Sequence, residues 1–207
     1  MDLLVRPARP EDTCVPLLFE SAKPYYTAYA GSERRALKLL HRAFVTPGHA
    51  ASYEYTQVMA TREDDFVVGV LAGFPVRDGD RLSRRFIRLT LPRVPPWGLV
   101  GTLKHLYAAG GVAPQPPLDA YYVDALAVHP SYRRLGIAQR LLAQAERDAA
   151  DAGCRRLALD TGLQNTPARA LYDAYGFRER EVRRAPSPRI AKALGGPGFV
   201  GYLKDIG

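Results

Sequence analysis

Cysteine is nearly absent: Cys14 and Cys154 are the two in 207 residues. They are too few and too far apart for a disulfide framework or a cysteine-ligated metal, so no metal is expected. No run of about 18 apolar residues occurs, which argues against a spanning helix and a membrane partner. The opening MDLLVRPARPED lacks the basic-then-apolar order of a secretory signal, and the expectation is a cytoplasmic protein. Zinc-finger spacing and aromatic-rich RNA signatures are missing as well. So are the Lys-Ser/Thr pair of a P-loop and the three glycines of a dinucleotide fingerprint. There are no internal repeats and no low-complexity tract.

What is present is an ordinary globular composition, 47% hydrophobic, with a net charge of +8. The charge is local. Residues 77–105 hold seven Arg/Lys against two Asp, and residues 178–192 hold six against two Glu; the rest is about neutral. Local basicity suits an anionic ligand as well as a polynucleotide. With no nucleic-acid motif beside it, no nucleic acid is expected. The length favours one domain over 1–207.

LLVRPA (3–8) reads as a strand, and Pro10, Glu11 and Asp12 suit a helix start. Over 32–45, Leu37, Leu40 and Phe44 recur at helical spacing. Strands are expected over 53–62 and 66–74, the second central because it is nearly all apolar. Residues 75–118 form a Pro/Arg-rich insertion holding two helices, 81–91 and 98–109, kept short by prolines at both ends. Such a long connection serves as a lid or a substrate wall. Then follow a strand (120–128), an amphipathic helix (136–152) ending at Gly153, a strand (155–161) and a helix (166–177) opened by Thr166 and Pro167. Phe177 onward returns to strand, and 198–206 is the last one. The expected fold is α/β of the α+β type, with a mixed, mostly antiparallel central sheet of six to seven strands flanked by helices.

Between the strand ending at Val128 and the helix lies Arg133-Arg134-Leu135-Gly136-Ile137-Ala138, then Gln139. The first amides of a helix lack internal partners and sit at the positive end of its dipole, a combination that binds phosphate. Gly136 admits a bulky anion, Ala138 adds little obstruction, and Arg133 and Arg134 can add charge-assisted contacts. The surrounding LAVHPSYRRLGIA matches V-x-P-x-x-[QR]-x-x-G-x-[GA] at every fixed position, and NTPARALYDAYGF, about 35 residues on, matches N-x-x-A-x-x-L-Y-x-x-x-G-F. Both motifs resemble those of the GNAT acetyltransferase superfamily, with the resemblance strongest over 120–182 and absent over 75–118.

The resemblance implies an acetyl-CoA-dependent N-acetyltransferase whose cosubstrate-binding core is 120–182. It places the pyrophosphate of acetyl-CoA on the amides of about 133–139 and the pantetheine arm beside Leu126, Ala127 and Val128. Asn165 takes a position that contacts the arm, and Tyr172 that of the tyrosine which protonates the departing thiolate. An amine must also lose a proton as it attacks. Asp124, on the strand face of Leu126 and Val128 by period-two counting, is the first candidate base, Asp160 the second and water the third. Tyr25, Tyr26 and Tyr29 are either acceptor pocket or core. The arginines of 81–88 are either part of the insertion's function or a solvated helix face. His129 lies past the strand end and is expected to face solvent. The acceptor is expected to be a primary amine of a small metabolite or amino-acid-like compound. The alternatives are a peptide amino terminus or lysine, or a non-catalytic acyl-CoA sensor. A homodimer is one option for assembly.

Overall fold

The computed structural model describes residues 2–207. Strands β1 (Leu3–Pro7), β2 (Thr56–Thr61), β3 (Val67–Pro75), β4 (Ala120–Val128), β5 (Arg156–Gly162), β6 (Arg178–Arg184) and β7 (Gly198–Asp205) form one sheet, ordered β1-β2-β3-β4-β5-β7-β6. Only β4 and β5 run parallel; the other neighbours are antiparallel. This is the mixed, mostly antiparallel sheet expected. Helices α1 (Val15–Ser21), α2 (Lys23–Ala30) and α3 (Glu33–Phe44) lie between β1 and β2. α4 (Val76–Thr90) and α5 (Pro96–Val112) join β3 to β4, α6 (Ile137–Asp151) joins β4 to β5, α7 (Thr166–Tyr175) follows β5, and α8 (Pro188–Leu194) links β6 to β7.

Each face of the sheet has its own core. α6 turns Leu141, Leu142, Ala145 and Ala149 onto Val68, Leu71, Tyr121 and Val123. Fully burying each of those leucines is worth about 1.5–3 kcal/mol. On the opposite face Leu18, Phe19, Leu40 and Phe44 of the early helices meet Val58, Val67, Val70 and Ala125. β3 is buried from Val67 to Phe74, which is why its sequence is continuously apolar rather than alternating. Gly69 is required for close packing: a Cβ there would stand 2.8 Å from Ile137 Cγ2 and 3.2 Å from Leu141 Cδ1. Its absence lets the start of α6 settle against the sheet.

Several boundaries differ from the sequence reading, each for a physical reason. Glu11 and Asp12 open no helix. The Asp12 carboxylate instead accepts two bonds from the Arg6 guanidinium, both 2.8 Å, and one from the Arg9 amide at 2.7 Å, holding a turn until α1 begins at Val15. The insertion helices are not short: α4 has 15 residues and α5 has 17. Pro75, Pro95 and Pro96 stand at helix starts, where a missing N–H costs nothing, and Pro92 and Pro114 fall after the ends. Residues 53–55 form a 3-10 turn, so β2 starts at Thr56. α8 was not foreseen. Ser187 caps it by accepting from the Ile190 amide, Pro188 begins it, and Gly195, at φ +81°, ends it.

Candidate active site

β4 pairs with β5 only from Ala120 to Val123, opposite Arg156 to Leu159. Beyond Val123 the two strands part, while β4 stays paired to β3 as far as Val128. The parting coincides with a bulge. Ala72 pairs with Ala125 and Gly73 with Val123, so Asp124 is an extra residue with no partner on β3. Tyr121 and Val123 belong to the α6-side core, and Leu126 and Val128 pack against that same core. The alternation therefore slips at Asp124, and counting by twos does not carry back from Val128 to it. The reach of its charge to Tyr25 and Tyr26 on α2 is what locates Asp124.

The backbone past the bulge has a definite direction. The His129 amide bonds to the Val68 carbonyl at 2.8 Å, toward β3. By strand alternation the amides of Ala127 and Ala125 point the same way, and those of Val128 and Leu126 point into the gap. The Arg133 side chain reaches back to donate from Nε to the Val128 carbonyl at 3.2 Å. Arg134 (φ +65°) and Gly136 (φ +74°) both take left-handed conformations around exposed Leu135. Such alternating turns make a concave nest of N–H groups. A non-glycine residue held at positive φ is costly and marks a constrained loop. The first intrahelical bond of α6 runs from Arg140 to the Gly136 carbonyl at 3.1 Å, so the amides of Ile137, Ala138 and Gln139 lie ahead of it without helical partners. Ile137 is buried and offers only its amide; Gln139 is exposed. The donors fit a diphosphate: unpaired amides, two cationic side chains and an open approach, with no carboxylate in the loop.

Titratable groups gather where the strands part. Asp124 is exposed to water at the bulge, with protein groups gathered around it. Loss of surrounding water, then the charge of Asp160, pushes its carboxyl up to about 6. Asp160, near the end of β5, accepts from the Tyr122 hydroxyl at 2.5 Å; burial raises its carboxyl and that bond opposes the rise. Tyr172 on α7 is 7% exposed, with its ring set edge-on to Phe177 (5.8 Å) and Tyr202 (5.6 Å). Burial, then the charge of Asp160, holds its phenol protonated well above neutrality. Burial, then Asp124, pushes Tyr25 up to about 12.

The three α2 tyrosines divide. Tyr25 and Tyr26 are half-buried within reach of Asp124, whereas Tyr29 is core, its hydroxyl 2.6 Å from Thr90 Oγ1. Asn165 precedes α7 but its side chain does not cap it; Nδ2 donates to Thr161 Oγ1 at 3.0 Å, across the end of β5. His129 does not simply face solvent. It is half-buried between Phe66 (5.8 Å) and Tyr132 (5.6 Å). Arg81 and Arg84 of α4 are an exposed face paired with Asp78 and Asp80. Two residues escaped the sequence reading. Tyr122 lies two residues before Asp124 on β4, a spacing that could have signalled it. His105 of α5 lies against Tyr25, ring centroids 4.8 Å apart and tilted by 53°, and burial lowers its imidazole below its usual range; no local pattern announces it. The insertion thus reaches the cleft, and Pro114 and Pro116 border a small cavity of about 10 Å³ with Tyr122 and Asp160.

The model of the acetyltransferase (GNAT) family matches residues 17–177. Aminoglycoside N(6')-acetyltransferase type 1 of Salmonella typhimurium (strain LT2) is 37% identical over 60 residues, 29% of this chain and 41% of that relative. GCN5-related N-acetyltransferase 4, chloroplastic, of Arabidopsis thaliana is 43% identical over 73 residues, 34% of this chain and 25% of that relative. The chain therefore spans less than half the length of the curated relatives it matches. Among solved structures, an N-acetyltransferase from Staphylococcus aureus Mu50 superposes with a TM-score of 0.66 at 18% identity, covering 97% of this chain and 100% of that one, which shows a shared fold.

Proposed function

This chain belongs to the acetyltransferase (GNAT) family, and on that premise we propose that it acetylates the primary amine of a small molecule, using acetyl-CoA, by direct transfer. Acetyl-CoA, when bound, supplies the acetyl thioester. The amides of 134–139 with Arg133 and Arg134 hold its diphosphate, and the inward amides of Leu126 and Val128 align its arm as an added strand. Asp124, ionised above about 6, takes the proton of the incoming ammonium. The Val128 amide, directed into the gap, donates to the negative charge developing on the carbonyl oxygen. Tyr172 keeps its proton at neutral pH and gives it to the departing sulfur.

The observation that carries this reading is the parting of β4 from β5 at a bulged carboxylate, beside an amide-lined loop. The acceptor class rests on the cleft's composition. Two carboxylates, Asp124 and Asp160, with the rings of Tyr25, Tyr26 and Tyr122, favour a compact cation. The similarity to aminoglycoside acetyltransferases points the same way. The test is release of free coenzyme A from acetyl-CoA across matched panels of small amines and peptides. Turnover of small amines supports the proposal. Turnover of peptides alone would move the acceptor class to proteins, and binding of acetyl-CoA without turnover of any amine would make the protein a sensor.

A further inference from the structure

A second concavity lies at the far end of α2 from its lysine start, where α2 hands over to α3. It measures about 300 Å³ and is lined by Ala30, Arg35, Lys38, Leu39, Arg42 and Arg93. Arg35, Lys38 and Arg42 fall at spacings of three and four on α3, so they share one stripe. Arg93 comes from the 3-10 turn between α4 and α5 and is anchored through a guanidinium bond to the Leu89 carbonyl. Arg35 rests beside Gly31, where a Cβ would stand 3.7 Å from Nη1.

Four cations converge here and no acid lines the cavity. Among the described residues none of the four side chains forms an ion pair, and the acid of the first turn of α3, Glu33, is engaged by Lys23 at 3.2 Å. An ordinary solvated basic helix face spreads its charges over a convex surface. These surround a hollow with Ala30 and Leu39 in its lining. Arg35 lies beside the carbonyl end of α2, Arg42 in the last turn of α3, and Arg93 donates to the Leu89 carbonyl at the end of α4; these are partial charges only, and Lys38 lacks even that. Like charges held together over apolar side chains repel, and an anion placed among them relieves that repulsion.

We propose that this groove binds a small polyanion, a molecule carrying at least two phosphate or carboxylate groups. The charge calls for more than one anionic group. A concavity of about 300 Å³ has room for an anion the size of pyrophosphate or citrate. The site is built from α3 and the α4–α5 connection, apart from the amide loop at the start of α6.

Calorimetric titration of pyrophosphate and of citrate into protein already saturated with coenzyme A tests this, because the amide loop is then occupied. Saturable binding of either anion is expected, weakening as salt rises, and the tighter of the two identifies the group recognised. The double variant Arg35→Ala/Arg42→Ala and the charge reversal Lys38→Glu should each weaken it at least tenfold. These side chains are exposed, and circular dichroism checks that the fold is kept. Gly136→Glu, which disables the amide loop, should leave pyrophosphate binding unchanged, so a failure of the coenzyme A assignment is distinguishable from a failure of this one. No saturable heat from either anion, or equal affinity in the double variant, overturns the proposal.

Discussion

Replacing Asp124 with Asn tests the reaction chemistry where the fold is least regular. The substitution is nearly isosteric and removes both the proton acceptor and its negative charge. With the carboxyl raised to about 6, about nine tenths of it is ionised at pH 7 and about one tenth at pH 5, so kcat/KM should fall about tenfold per pH unit below 6. Asp124→Asn should lower kcat/KM by about 10²–10⁴-fold, the usual worth of a general base, and abolish that inflection. Asp160→Asn should keep the inflection but move it to lower pH, because the neighbouring charge that helps raise Asp124 is gone. Stability should respond in the opposite sense. A carboxyl raised in the folded state opposes folding when ionised, a penalty present above about 6 and absent below the unfolded value near 4. Asp124→Asn should therefore raise Tm at pH 7 and leave it unchanged near pH 4. An inflection near pH 6 that survives in Asp124→Asn refutes the assignment, and one lost only in Asp160→Asn transfers it to Asp160.

Other sites give independent tests. Tyr172→Phe should lower kcat by about 10²-fold or more while calorimetry finds acetyl-CoA affinity unchanged. Gly69→Ala should cost about 1–3 kcal/mol by overpacking, since its Cβ meets Ile137 at 2.8 Å; urea unfolding measures the loss, and the displaced start of α6 should weaken coenzyme A binding. Asp12→Ala should cost about 1.5–3 kcal/mol, because the buried Arg6 guanidinium loses two bonds to Asp12 but keeps Asp65 at 2.8 Å. Despite a burial cost, the Arg6 bonds hold the Asp12 carboxyl below its usual range. The stability it confers is present above about 4 and disappears as pH falls through the lower folded value.

The legible parts of the chain were those where local pattern and tertiary role agree. The start of α6 falls just after Gly136, where the pattern places it, because a glycine turning into a helix is a local property. Gly153 and Gly176 end helices where the pattern places them, at φ +67° and +95°. α8 shows a signal passed over: Ser187-Pro188 with Gly195 repeats the cap, proline and glycine logic that located α7. Asp124 could not be oriented from sequence because a bulge is a property of two strands, and nothing on β4 alone shows where β3 will slip. Asp12 misled because a carboxylate at a helix start and one bonded to a buried guanidinium look the same until Arg6 is seen nearby. His105 and the cationic groove depend on where the insertion folds, and that part of the chain carries no recognised motif.

The central claim is that the amides of 134–139, beside the parted edge of β4, hold the diphosphate of coenzyme A. Calorimetry comparing coenzyme A with 4'-phosphopantetheine, which keeps the arm but lacks the diphosphate, tests it most directly. Saturable binding of coenzyme A, much weaker binding of the truncated compound, and loss of coenzyme A binding in Gly136→Glu are predicted. No heat with coenzyme A, or equal affinity for the two compounds, contradicts the account.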